Sequence, residues 1–374
     1  MIRRTHTACG ADRYLTAFGL NPRQVIYFDI ETTGFRASSS SLYMIGWAVL
    51  SDMSGEEWTL TQLLAQSHSE EVLLLELFQE VLRKYDTIIE FNGDRFDLPY
   101  LREKCASYGL CDPFSHAQTV DLYRLIRPYK SALGLTRLNQ KSVEQFLGIH
   151  RSDPYSGGEL IDVYRSVRDH RCPDEDHALD QLFLHNQEDL LGMLMMTPLL
   201  AYDIVLRSTS PVSVRMSEKN GEKELEASFC LDASLPRPVR LNLAECCDIT
   251  LCEETARVTI RLLAGCLYHF FPDWKNYCFL PAEDMAVHKS VASFVDPSHR
   301  ENARPQNCYV KKEGVFLPHP SGGDPPFFHT GKNTPAFFQR YYKDPVIWTE
   351  YQPDMDPDTF SAYIHFLVER GILS

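Results

Sequence analysis

The chain lacks the features on which membrane-spanning, secreted and disulfide-stabilised proteins depend. It has no run of about eighteen apolar residues, so we predict no transmembrane helix and no membrane partner. No apolar segment follows the basic pair Arg3 and Arg4, so we expect no secretory signal. The eleven cysteines include no C-x-x-C pair, which argues against a zinc site and favours free thiols in a reducing, cytoplasmic setting.

Positive charge is scarce as well. The 374 residues include 37 Lys and Arg against 51 Asp and Glu, which gives a formal net charge of −14. This excess of negative charge argues against a protein that coats nucleic acid non-specifically. It does not exclude an enzyme that binds nucleic acid through a local basic strip.

The length predicts two domains, and the pattern of strand and helix signals changes after residue 207. Strand and helix patterns are mixed before that point, as in an α/β domain. After it, short strand patterns dominate, Pro, Gly and aromatic residues are frequent over 268–345, and a helix pattern closes the chain at 358–370. We therefore predict a first domain at residues 1–207 and a β-rich α+β domain at residues 208–374, whose role the sequence leaves open.

The most informative stretch is Val25–Phe35, which contains a strand of apolar, β-branched and aromatic residues. Asp29 and Glu31 lie within it, one residue apart, so strand alternation points both carboxylates to the same face. Burying two like charges side by side is costly unless a cation neutralises them. Hard oxygen ligands on a rigid strand suit Mg²⁺ or Mn²⁺, whereas the alternative is an edge strand with two solvated acids.

The rest of the first domain predicts a mixed sheet flanked by helices, with an antiparallel meander at its start. Residues 1–24 show little pattern and are expected to form a short lead-in, and Ser156–Gly158 is expected to be a flexible turn. The predicted strands are 25–31, 42–50, 58–61 and 87–91, and the predicted helices are 70–84, 98–106, 121–127, 140–147, 160–167 and 176–206, the last bent at Pro198.

Three further residues carry chemistry at the ends of these elements. Asp97 follows the strand at 87–91, and alone it is equally well explained as the N-cap of the next helix. His185 and Asp189 are four residues apart on the long helix and so share one of its faces. Taken alone, His185 is also compatible with a core histidine. Glu188 projects away from that face, so we interpret it as solvated or structural.

Taken in order, these residues resemble the motifs of the DEDD superfamily of 3′–5′ exonucleases, which have the ribonuclease H-like fold. Phe28–Gly34 is similar to the first motif, Asn92–Asp97 to the second and His185–Asp189 to the third. The resemblance is strongest to the YprB-like branch of ribonuclease H-like proteins. It extends to three further segments, Ser156–Ile161, Leu267–Pro272 and His288–Val291.

The resemblance implies that Asp29, Glu31, Asp97 and Asp189 hold two divalent cations, Mg²⁺ or Mn²⁺, for phosphodiester hydrolysis. It also implies that His185 orients or deprotonates the attacking water, a role that suits an imidazole near neutral pH. Family members place a tyrosine four residues before the last aspartate or a histidine five before it, whereas here a histidine stands four before. A water activated by the metal or by another side chain is therefore an alternative.

The candidate substrate contacts lie on a basic strip over residues 121–151, which has six cations against Asp121 and Glu144. Its alternative explanation is a solvated helix face. Phe35 is positioned to stack on a terminal base or to pack under the sheet, and Asn92 to bind near the scissile end or to make the turn. Arg137 and Lys141 are the preferred contacts within the strip. Its six cations are Arg124, Arg127, Lys130, Arg137, Lys141 and Arg151.

The leading functional hypothesis is a metal-dependent 3′–5′ exonuclease that acts on DNA or RNA ends. A non-catalytic nucleic-acid-binding module is an alternative from another class, although the intact set of four carboxylates argues against it. A structure-specific endonuclease on the same fold is the third reading.

Overall fold

The computed structural model describes residues 1–10, 12–51, 57–219, 222–319 and 337–373, which fall into two compact units. The first comprises residues 1–207 with 232–237, and the second comprises residues 208–231 with 238–374. In the first unit the strands are β1 (Ile2–Cys9), β2 (Val25–Thr32), β3 (Leu42–Leu50), β4 (Glu57–Leu64), β5 (Thr87–Glu90) and β6 (Gln118–Asp121). Its helices are α1 (Asp12–Ala17), α2 (Glu71–Leu82), α3 (Asp97–Ser107), α4 (Leu122–Ile126), α5 (Gln140–Leu147), α6 (Gly157–Arg168), α7 (Glu175–Met196) and α8 (Leu200–Arg207).

The six strands of the first unit form one mixed sheet in the order β1-β4-β3-β2-β5-β6. β2, β3 and β4 pair antiparallel, which confirms the predicted meander, and β5 and β6 add to the β2 side in parallel. The short strand β6 has no counterpart in the sequence prediction, because its four residues are too few to show a period.

The predicted lead-in over residues 1–24 is wrong, because Ile2–Cys9 pairs along its whole length with β4. The inward face of this edge strand includes Arg4, whose guanidinium lies 4.2 Å from the centre of the Phe183 ring and forms an ion pair with Asp180. A long polar side chain thus covers apolar surface where a sequence pattern would require an apolar residue.

The two faces of the sheet pack against different helices. Ile26, Phe28 and Ile30 point into a core shared with α2 and α3. The opposite face faces α6 and α7, where Tyr43 and Leu64 of the sheet pack against helix residues such as Leu182. Because side chains alternate along a strand, Asp29 and Glu31 of β2 lie on the α7 side.

Helix α7 is the central helix of this face. Asp174 caps its first turn by accepting a hydrogen bond from the backbone of His177. It ends at Met196 and is followed by a 3₁₀ turn at Thr197–Leu199 and by α8, so the single helix predicted over 176–206 is interrupted at the position of the predicted bend, Pro198. By length and composition, the segment 175–207 could cross a membrane. However, 67% of its most apolar stretch of 18 residues is buried inside the protein.

The second unit is β-rich, as predicted. It contains an antiparallel five-stranded sheet in the order β7-β8-β11-β10-β9 and two three-stranded sheets, β12-β16-β17 and β14-β13-β15. The stretch 268–345, in which Pro, Gly and aromatic residues are frequent, includes residues 320–336, which lie outside the described residues. The elements are β7 (Ser213–Lys219), β8 (Glu222–Cys230), β9 (Val239–Leu243), β10 (Cys247–Cys252), β11 (Thr255–Arg261), β12 (Leu263–Phe270), β13 (Tyr277–Leu280), β14 (Met285–His288), α9 (Lys289–Ala292), β15 (Glu301–Asn302), β16 (Tyr309–His319), β17 (Ile347–Glu350) and α10 (Pro357–Leu373).

Candidate active site

Strand β2 presents two carboxylates on its α7 face. Asp29 is half-buried and lies opposite Gly46 of β3, whereas Glu31 is only 8% exposed. An irregularity in the pairing between Glu31 and Thr32 ends the regular register directly after the second carboxylate. The alternation of the strand therefore places both acids side by side beneath the helix, as the sequence predicts.

Gly46 allows α7 to approach the sheet closely at this point. A Cβ atom on Gly46 would lie 2.1 Å from Oδ1 of Asn186, which is too close for any side chain. The buried amide of Asn186 instead donates to Asp29 Oδ2 at 2.8 Å and accepts from Gln62 Nε2 at 2.9 Å. The strand acid is thus held by a helix amide that the sequence reading did not single out.

His185 and Asp189 project from α7 toward the same place. His185 Nε2 lies 3.4 Å from Asp189 Oδ2 and 3.8 Å from Glu31 Oε1. Ligand atoms of Glu31, His185 and Asp189 all lie within 4.8 Å of one another, a spacing that can hold a metal ion. The shared helix face predicted from the four-residue spacing is therefore the face that meets Glu31.

Asp97 enters from α3. It is the first residue of that helix rather than its N-cap, which is Phe96, so the N-cap interpretation is wrong. Its carboxylate accepts hydrogen bonds from the backbone of Ile30 and from its own backbone N–H, and the charge of Asp189 acts on it directly. The structure therefore brings all four predicted carboxylates, Asp29, Glu31, Asp97 and Asp189, into one electrostatic group.

Burial and mutual repulsion raise the pKa values of three of these acids. Burial is the largest cause for each, and the charge of Asp189 adds to it. The pKa of Asp29 is raised well above its usual value, that of Glu31 to about 8 and that of Asp97 to about 7. Oxygen donors that resist ionisation because they are buried and lie close to one another fit a divalent cation, whose charge would compensate for both effects.

The second nitrogen of His185 is held by Asp153, which the sequence reading missed. His185 Nδ1 lies 2.5 Å from Asp153 Oδ2, and Lys141 Nζ lies 3.2 Å from the same oxygen. Burial opposes a charged imidazole, but the charges of Glu31, Asp189 and Asp153 outweigh it and raise the pKa of His185. An N–H donated to Asp153 leaves Nε2 facing the acidic cluster.

Arg151 forms an ion pair with the carboxylate oxygen of Asp189 that does not face His185. Its guanidinium lies 2.7 Å from Asp189 Oδ1 and donates to Glu144 Oε1 at 2.6 Å, and its side chain is only 8% exposed. The predicted role of Arg151 in a substrate-binding strip is therefore wrong, because two internal carboxylates occupy it. The loop between α5 and α6 thus supplies two residues of the site, Arg151 and Asp153.

The predicted turn at Ser156–Gly158 belongs to this loop and is also wrong. Ser156 caps α6 in a reciprocal box with Glu159, and Gly157 and Gly158 form the first helical turn. A Cβ on Gly157 would lie 3.8 Å from Nε2 of His185, so this helix begins beside the histidine. Glu188, predicted to be solvated or structural, accepts the backbone N–H groups of Ser152 and Asp153 and so fixes the loop.

The predicted substrate contacts have different surroundings. Phe35 is 91% exposed, so it does not pack under the sheet, and its ring lies 6.0 Å from that of Phe96. Arg137 is exposed. Lys141 pairs with Asp153, and Asn92 adopts a φ of 63° while its backbone N–H donates to Asp121, so it does make the turn.

A second acidic group, Glu90, Asp94 and Asp121, lies at the ends of β5 and β6. Asp121 caps α4 by accepting backbone hydrogen bonds from Tyr123 and Arg124, and Glu90 accepts the backbone N–H of Gly93. Burial and the charge of Asp121 raise the pKa of Glu90 to about 9. We therefore interpret this group as local structure that holds the turn at Asn92.

With this geometry established, the comparisons with known proteins identify the class of domain. The family model RNase_H_2, of the RNase_H superfamily, matches residues 26–200. The first unit is therefore an RNase H-like domain, and the predicted fold, a ribonuclease H-like mixed sheet followed by a β-rich region, is confirmed. RNase H-like nucleases use divalent metal ions, and the group formed by Glu31, His185 and Asp189 fits that requirement.

Among solved structures, the chain is similar to the family B DNA polymerase from the hyperthermophilic archaeon Pyrobaculum calidifontis, at 15% identity and a TM-score of 0.36. The match covers 69% of this chain and 35% of the polymerase, so the chain spans about a third of that protein's length. A likeness this distant carries no argument about activity. No curated protein matches the chain.

Proposed function

We propose that the chain is a metal-dependent 3′–5′ exonuclease that hydrolyses phosphodiester bonds of DNA or RNA, of the DEDD type and closest to the YprB-like branch. The observation that carries the proposal is the convergence of Glu31, His185 and Asp189 within 4.8 Å, next to the half-buried Asp29 and Asp97. The RNase H-like fold over residues 26–200 supports it. We also propose a cytoplasmic setting, which suits eleven unpaired cysteines.

In this proposal Asp29, Glu31, Asp97 and Asp189 hold two divalent cations, Mg²⁺ or Mn²⁺. When bound, such ions neutralise charge and act as Lewis acids at a phosphodiester. Asn186 keeps the Asp29 carboxylate in place, and Arg151 fixes one oxygen of Asp189 so that the other stays turned toward the cluster.

His185 is the proposed general base. Its Nε2 faces the cluster, while Asp153 accepts the Nδ1 proton and fixes the orientation of the ring. A neutral ring in this orientation can take a proton from an attacking water at Nε2, and Asp153 then stabilises the imidazolium. The unusual four-residue spacing to Asp189 is compatible with this role, because both side chains lie on one helix face.

The proposal is tested on linear and circular single strands of DNA and RNA, each with Mg²⁺, Mn²⁺ or EDTA. We expect shortening of the linear strands from the 3′ end, no cutting of circles, and no products in EDTA. Asp29→Asn keeps the shape of the side chain but removes one charge. A loss of at least about 10²–10³-fold in rate is expected, because metal-mediated stabilisation amounts to several kcal/mol.

Asp162→Asn is the matched control, since Asp162 is an exposed acid on α6 whose side chain is 84% accessible. It should retain full activity after the same purification. Cutting of circles would support an endonuclease instead, and binding without products under any metal would support a non-catalytic module. Equal activity of Asp29→Asn and Asp162→Asn would refute the metal assignment.

A further inference from the structure

A cleft of about 580 Å³ lies beside the carboxylate cluster. Its walls come from the end of β5, the start of α4, the segment after α4 and the start of α5. At the α5 end, Gln140 Nε2 donates to the backbone oxygen of Asp189 at 2.8 Å, so one wall of the cleft is bonded to the acidic site. The lining residues that matter below are Phe91, Asn92, Arg95, Tyr123, Lys130 and Gln140.

The cleft has positive charge in a chain that is strongly negative. Arg95 and Lys130 are exposed, and neither forms an ion pair with any side chain in the part of the chain that the structure describes. Arg124, by contrast, lies 3.6 Å from Asp94, so part of its charge is already balanced. Uncompensated cations on a concave surface next to a carboxylate cluster are expected to bind the phosphates of a strand leading to that cluster.

The cleft also has aromatic walls. The rings of Phe91 and Tyr123 are 6.0 Å apart in an edge-to-face arrangement, and both side chains are half-buried. The guanidinium of Arg95 lies 5.7 Å from the centre of the Tyr123 ring. An aromatic side chain backed by a cation is a platform on which an unpaired base can stack, whatever its identity.

We propose that this cleft binds single-stranded nucleic acid, with an unpaired base against Tyr123 and backbone phosphates at Arg95 and Lys130. The inference deepens the proposed function and rests on it for the direction of the strand, which leads past Gln140 to the carboxylate cluster. A paired duplex keeps the faces of its bases stacked inside the helix, so it cannot present a ring to Tyr123. The cleft therefore selects single strands over duplexes.

The test measures equilibrium binding of labelled oligonucleotides to the full chain in EDTA. Fluorescence anisotropy reports the bound fraction, and each titration is repeated over a series of salt concentrations. The probes are a single strand, the same sequence as a duplex, and a single strand of abasic sites, made as DNA and, for the first two, as RNA. The unaltered protein should bind the single strand at least about tenfold more tightly than the duplex.

Two variants separate the two contacts. Arg95→Ala with Lys130→Ala should weaken single-strand binding by about 10- to 100-fold and reduce the slope of log K against log salt by about 1.4, or 0.7 for each phosphate contact. Tyr123→Leu should weaken binding by roughly 5- to 100-fold without changing the slope, and this effect should vanish on the abasic strand. Tyr123→Phe, which keeps the ring, should restore binding.

Arg83→Ala is the matched control, because Arg83 is an exposed cation at the end of α2, in the same unit, that does not line the cleft. An equal effect of Arg83→Ala, an unchanged salt slope in the double variant, or equal binding of duplex and single strand would overturn the inference. Because binding is measured without metal, a protein that binds as expected but never cleaves would refute the exonuclease and leave the cleft assignment standing. Cleavage by the unaltered protein, together with unchanged binding in all variants, would support the exonuclease and refute the cleft assignment.

Discussion

Two adjacent stretches of the chain look alike in sequence and differ completely in the structure. We call residues 121–137 the outer stretch and residues 139–156 the inner stretch. Cations of the outer stretch, such as Arg127, Lys130 and Arg137, are exposed. In the inner stretch Arg151 is 8% exposed and bonded to Asp189 and Glu144, and Lys141 pairs with Asp153.

The difference shows that a basic residue near the carboxylate cluster serves one of two purposes, and that pairing with an internal carboxylate decides which. Arg151 and Lys141 of the inner stretch orient protein carboxylates, whereas Lys130 of the outer stretch, which has no ion pair among the described residues, is available for the phosphates of the proposed substrate. The inner cations also do not balance the whole cluster, because the pKa values of Asp29, Glu31 and Asp97 remain raised, chiefly by burial and then by neighbouring acids. Substitutions of Arg151, Glu31 and Asp153 test this difference.

The largest expected effect is that of Arg151→Ala. Glu144 is 1% exposed, and loss of its partner leaves a buried charge uncompensated. We expect the free energy of unfolding to fall by about 3–5 kcal/mol, and cleavage to be lost because Asp189 is released. Urea unfolding of the variant measures the first effect.

Arg127→Ala is the control from the outer stretch, where an exposed cation should change the free energy of unfolding by less than about 0.5 kcal/mol. If the two variants unfolded at the same urea concentration, the distinction between the stretches would fail.

The next prediction concerns the negative charge of the carboxylate cluster that the cations of the inner stretch do not balance. Burial raises the pKa of Glu31 from 4.5 to about 8 in the metal-free protein, so the folded state binds a proton that the unfolded state releases. The resulting stabilisation is complete below pH 4.5 and is lost as the pH rises to about 8. Relative to Glu31→Gln, the protein should therefore lose unfolding free energy at up to about 1.4 kcal/mol per pH unit across this range.

Thermal unfolding of both proteins over this pH range, in EDTA, measures the difference. Excess Mn²⁺ should stabilise the unaltered protein at high pH more than the variant, because a cation removes the repulsion that protonation removes at low pH. A pH-independent difference between the two proteins would mean that the inner cations already neutralise the cluster.

The smallest of the three effects is that of Asp153→Asn, which acts through His185. An amide cannot accept the Nδ1 proton and stabilise an imidazolium as a carboxylate does, so the rate constant kcat should fall by about 10- to 100-fold while KM stays unchanged. Steady-state cleavage of a labelled strand separates the two constants. Asp162→Asn serves as the control, and a change in KM with kcat preserved would show that Asp153 acts on binding rather than on the histidine.

Local periodicity in the sequence is enough to predict several parts of this protein. Alternation along residues 25–31 placed Asp29 and Glu31 on one face, and helical spacing placed His185 and Asp189 on another. The meander and the long helix with its bend at Pro198 are predicted from patterns of the same local kind. These features are local because each depends only on residues a few positions away.

The side chains that complete the site, by contrast, depend on contacts between distant parts of the chain. Asp153 and Arg151 lie on a loop without periodicity, and they reach the cluster because Glu188 of α7 holds that loop by its backbone. Gly46 and Asn186 matter only because a helix and a strand far apart in the chain meet with no room for a Cβ. Long-range packing sets such contacts, so the sequence could indicate a metal site while only the fold showed which cations bind its carboxylates and which remain free for a substrate.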